Sequence, residues 1–83
     1  MTTIKHYSAN WCVPCKSLKP IMQEIASQNP SVNYQLIDVD QNQSEAQAMG
    51  IRSIPVVIVM KDGVETNRFV GIQSKAVYEQ AIK

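Results

Sequence analysis

Both cysteines of this 83-residue chain fall in one hexapeptide, Trp11-Cys12-Val13-Pro14-Cys15-Lys16, where a strand-like run gives way to an amphipathic helical pattern. No other stretch constrains the fold as much. A strand that feeds a helix this way calls for a later parallel strand to which the helix returns, and so for an α/β arrangement. Two thiols at i and i+3 across a helix start lie close enough to join as a disulfide and to part again. The first sits where backbone N–H groups and the helix dipole favour a thiolate, the reactive form. The hexapeptide therefore points to reversible thiol–disulfide exchange.

The rest of the chain supplies the elements that such a junction needs. Thr3 to Tyr7 reads as a first strand, ended by the polar Ser8-Ala9-Asn10. From Val13 to about Gln28, Leu18, Ile21, Met22 and Ile25 recur at i, i+3, i+4 and i+7, one face of a helix. Pro20 removes an N–H inside it and predicts a kink rather than an end; Asn29-Pro30 closes it. Val32 to Asp40 reads as a second strand. Ser44 and Gln47 suggest a capping box for a short helix that Gly50 ends. The continuous apolar run from Pro55 to Met60 predicts a central strand buried on both faces. Lys61-Asp62-Gly63 is a hairpin signal leading to a last strand from Glu65 to Val70. After Gly71, Ser74 caps a final helix whose Val77, Tyr78, Ala81 and Ile82 turn inward. The order is βαβαββα, an α/β fold with a four-stranded mixed sheet and helices on both faces.

Composition narrows the class. With 45% hydrophobic and 18% charged residues the chain is a folding rather than a disordered sequence, and it has no repeat or linker to divide residues 1–83 into more than one domain. A net charge of +1 gives no electrostatic reason to expect nucleic acid or a membrane surface as partner. Ile54 to Met60 is too short to span a bilayer, and no apolar h-region follows Met1, so the expected location is cytoplasmic. In that reducing compartment a CxxC is more often catalytic or metal-binding than a structural staple.

Element order and the WCxPC junction together resemble the thioredoxin family over nearly the whole chain. Pro20-Ile21 resembles that family's active-site helix with its internal proline. Ile51-Arg52-Ser53-Ile54-Pro55 resembles its cis-proline loop, and Val70-Gly71 the glycine bordering its substrate groove. The resemblance implies a protein-disulfide reductase with Cys12 as nucleophile, Cys15 as resolving thiol, and a groove formed by Trp11, Val13, Pro14, Ile54, Pro55 and Gly71. There are three departures. The chain starts where the family's second strand would start, leaving a glutaredoxin-sized core. Val13 stands where glycine is usual. The buried acid six residues before the first cysteine is His6, and its frequent lysine partner corresponds to Leu36.

Other uses of the same residues bear on the chemistry. A structural disulfide closing a four-residue loop would contribute little. Zinc takes four ligands, and only Cys12, Cys15 and His6 are on offer, so no metal site is expected. No bound cofactor is needed, since the two sulfurs carry both electrons; a flavin-dependent reductase or glutathione would supply them. The glutaredoxin-type Gly-Gly is absent, Gly71 being followed by Ile72-Gln73, which weighs against glutathione. A protein clamp in which the thiols are incidental is the reading from another class. His6, in a central strand beneath the cysteine loop, is expected neutral and a candidate for handling the proton of Cys15. A monomer with weak pairing through edge strand 32–40 is expected.

Overall fold

The apolar periodicity of the chain is resolved into seven elements in a computed structural model that describes residues 1–83. In chain order they are β1 (Thr2–Ser8), α1 (Val13–Gln28), β2 (Val32–Asp38), α2 (Gln43–Ala48), β3 (Val56–Lys61), β4 (Val64–Val70) and α3 (Lys75–Ala81). The predicted βαβαββα order holds. The sheet runs β2-β1-β3-β4, with β1 parallel to β2 and the other two pairings antiparallel.

Each face of the sheet has its own core. Ile4, Val57 and Val59 meet Leu18, Met22 and Ile25 of α1, Tyr78 of α3 and Ile82 at its C-cap on one face. Tyr7, Ile37, Val56 and Ile58 meet Met49 and Ile51, around the end of α2, on the other. Residues of β3 alternate between the two clusters, which is why Pro55 to Met60 reads as continuously apolar. Burying each of the large α1 side chains contributes on the order of 1.5–3 kcal/mol. α1 runs unbroken through Pro20, whose missing N–H removes one bond without ending the helix. At the β3–β4 turn Asp62 and Gly63 both take positive φ, +53° and +82°, the pairing a two-residue hairpin with native twist requires.

Three local expectations are corrected. β2 stops at Asp38 rather than Asp40, because the Asp38 carboxylate accepts from the Asp40 N–H at 2.8 Å and turns the chain. That turn also displaces the capping box. Asn42 is the N-cap of α2, but its side chain donates to the Asp38 carbonyl at 2.9 Å, and Ser44 lies inside the helix. On α3, Tyr78 and Ile82 form the inward row at i and i+4, while Val77 is exposed beside the open groove between α3 and β4. Ser74 does occupy the N-cap of α3, without a side-chain hydrogen bond.

Candidate active site

Because β1 and β2 run parallel, their C-terminal ends lie together, and the β1–α1 loop sits above both. Cys12 is the N-cap of α1 and Cys15 lies in its first turn, with Cα atoms 5.3 Å apart and the sulfurs joined in a disulfide. The Cys12 N–H donates to the Ala9 carbonyl at 3.1 Å, and the Cys15 N–H donates to Cys12 Sγ at 3.3 Å. When the disulfide opens, that N–H and the helix terminus stand ready to stabilise a thiolate on Cys12 rather than on Cys15. Both sulfurs are largely covered in the oxidised form: Cys12 is 5% exposed and Cys15 1%, the order expected but with a small difference. Ala9, Val39 and Ile54 complete the apolar pocket around them.

Around this pocket lie the residues of the predicted groove. Trp11 and Val13 are 67% and 70% exposed and form an apolar rim, with Pro14 exposed beside them. The indole N–H of Trp11 donates to Asp40 Oδ2 at 2.9 Å, fixing the ring at the loop's edge. The Ile54–Pro55 peptide is cis. Ile54 packs against the cysteines, and neither its N–H nor its C=O takes a partner within the chain. Opposite, the Gly71 N–H donates to the Pro55 carbonyl at 2.8 Å, and Gly71 holds φ +83°, where a side chain would be strained.

His6 is fully buried on the α1 face of β1, opposite Leu36 in the parallel register. Leu36 is partly exposed on the edge strand. The Nδ1 of His6 lies 3.0 Å from the Tyr34 hydroxyl, and its Nε2 has no partner; there is no hydrogen bond to Cys15. Burial, and then the charge of Lys19, lower its pKa to about 4, so the imidazole is neutral near pH 7. His6 sits on the sheet face that carries α1, the helix whose first turn holds Cys15. No group of three or more His, Cys, Asp or Glu side chains is arranged to hold a metal ion.

Sequence reasoning missed Asp40, Tyr34 and the Tyr7–Glu45 hydrogen bond of 2.9 Å. Each depends on strand register or on the turn after β2. The parallel β1–β2 pairing alone signalled that residues following β2 would reach the cysteine loop.

Comparisons with known proteins agree on one family. The family model described as Thioredoxin matches residues 2–83. A thioredoxin of Chlamydia muridarum is 39% identical over 69 residues, 83% of this chain and 68% of that protein. A thioredoxin of Staphylococcus saprophyticus is 38% identical over 76 residues, 90% of this chain and 73% of that one. Among solved structures, a mutant thioredoxin from Halobacterium salinarum matches with a TM-score of 0.92 at 32% identity, covering 98% of this chain and 71% of that one.

Proposed function

This chain belongs to the thioredoxin family and is a dithiol–disulfide oxidoreductase, and from that premise we propose the part each residue takes. Thioredoxins act on protein disulfides and are recharged by reductase partners. The Cys12 thiolate attacks one sulfur of the substrate disulfide. That bond breaks, a mixed disulfide forms on Cys12, and the first substrate thiolate leaves and takes up a proton. Cys15 then gives its proton to a base and attacks Cys12 Sγ. The mixed disulfide breaks, the Cys12–Cys15 disulfide forms, and the second substrate thiolate departs. Two electrons have passed from the dithiol to the substrate.

The observation that carries this division is the Cys12 sulfur at the N-cap of α1 with the Cys15 N–H on it. The unpaired N–H and C=O of Ile54 support an extended substrate segment pairing there as an added strand, with Trp11, Val13, Pro14, Pro55 and Gly71 as the groove walls. His6 is the base for Cys15, directly or through one water; its burial and neutrality support that role. The donor is a flavin-dependent reductase rather than glutathione, as Ile72-Gln73 after Gly71 suggests. No helix is long and apolar enough to cross a membrane. We take residues 1–83 as a single domain acting in the cytoplasm, as a monomer at ordinary concentrations.

The test is substitution of each cysteine. Cys12→Ser is expected to abolish reduction of a protein disulfide and to form no adduct. Cys15→Ser is expected to accumulate mixed disulfides on Cys12. Equal alkylation of both reduced thiols near neutral pH would remove the asymmetry.

A further inference from the structure

Tyr34 lies on β2, diagonal to His6: the register sets Ile4 against Tyr34 and His6 against Leu36, all on the α1 face. Besides the 3.0 Å contact between its hydroxyl and His6 Nδ1, the two rings stack loosely, with centroids 6.3 Å apart and planes at 24°. His6 is wholly buried, while Tyr34 is half-buried on an edge strand.

Two tautomers satisfy that contact. If the Tyr34 hydroxyl donates to Nδ1, the ring proton sits on Nε2, and a buried N–H is left with no acceptor. If the Nδ1–H donates to the Tyr34 oxygen, the hydroxyl proton is free to turn toward solvent at the sheet edge. Only a lone pair on Nε2 is then unpaired. Orphaned buried donors are rarer than under-satisfied acceptors, so the second arrangement is favoured.

We infer that Tyr34 is a positioning residue, holding His6 as the Nδ1–H tautomer so that Nε2 stays bare to accept the proton of Cys15. This rests on the base role proposed for His6. The proton leaves Cys15 Sγ for Nε2 as Cys15 attacks the mixed disulfide. The ring becomes an imidazolium whose Nδ1–H bond to Tyr34 is now charge-assisted and stronger. Nε2 then returns the proton to the departing substrate thiolate, which restores the starting tautomer. Burial and the charge of Lys19 disfavour the imidazolium, which keeps that state brief.

The tautomer can be read directly. In ¹⁵N NMR of the reduced protein near pH 7, His6 is expected as one Nδ1–H species. Tyr34→Phe keeps the ring and loses the hydroxyl. It is expected to move His6 to the Nε2–H tautomer and to slow single-turnover release from the Cys12 mixed disulfide by about tenfold, leaving the initial attack by Cys12 unchanged. A wild-type Nε2–H tautomer overturns the inference, as does a Tyr34→Phe chain with unaltered tautomer and release. His6→Leu separates this from the parent reading. If His6→Leu releases substrate at the wild-type rate, the base role itself fails. Slow release in His6→Leu beside normal release in Tyr34→Phe removes the Tyr34 assignment alone.

Discussion

Burying an imidazole with only one hydrogen-bond partner makes the stability of this fold sensitive to acid at His6. Its folded pKa is about 4, against an ordinary value of 6.5. Above pH 6.5 both folded and unfolded chains hold it neutral, and its stabilisation is fully present. As pH falls below 6.5 the unfolded chain takes up a proton that the folded chain refuses, so stability drops until pH reaches about 4. At about 1.4 kcal/mol per unit, the loss over that window is on the order of 3 kcal/mol. His6→Leu is expected to abolish this slope, and urea unfolding of both chains at about pH 7 and about pH 4.5 measures it. Equal losses in the two chains would mean that other groups carry the acid sensitivity. The position and neutrality of His6 were legible in the sequence, from its place in a central strand six residues before Cys12. Its partner was not, since Tyr34 becomes a neighbour only through the β1–β2 register.

Among the elements, those with strong periodicity read true: α1 from its i, i+3, i+4 spacing, β3 from its unbroken apolar run, the hairpin from Asp62-Gly63. The region after β2 did not, because a side-chain-to-backbone turn at Asp38 overrode a plausible capping box, and single side chains of this kind leave no periodic trace. The strap between β4 and α3 is a similar case. The Tyr78 hydroxyl accepts from the Gln73 N–H at 2.9 Å and donates to the Gly71 carbonyl at 3.4 Å, while Gly71 itself is bonded to Pro55. A tyrosine expected merely to fill the core thus also ties down the loop that borders the groove. Tyr78→Phe keeps the ring's packing, including the edge contact with Phe69 at 5.3 Å. It leaves the Gln73 N–H without that partner, at a cost of about 1–2 kcal/mol. Thermal unfolding should register the loss. Amide exchange should quicken at Gln73 before it quickens in β3, and an unchanged Gln73 exchange rate would show that the strap holds nothing.

For the molecule as a whole, the sheet order β2-β1-β3-β4 gives β2 a single neighbour. The outward N–H and C=O groups of such a strand are a template for pairing with another strand. Sequences commonly guard such an edge with lysine, proline or a bulge, and Val32-Asn33-Tyr34-Gln35-Leu36-Ile37-Asp38 has neither lysine nor proline. Leu36 is 43% exposed there, which adds apolar area to the template. Two copies meeting β2 to β2 in antiparallel fashion would form a closed, two-fold contact that leaves the cysteine loops accessible at either end. A single strand pair buries less than a standard interface, so the association is expected only toward millimolar protein. Sedimentation of the chain from roughly 10 µM to 1 mM should show a rising weight-average mass. Gln35→Lys, which would place like charges near one another across the two-fold, should keep it monomeric. A wild-type chain that stays monomeric across that range, with freely exchanging outward amides in β2, would show that the twist of the strand and its polar residues already guard the edge.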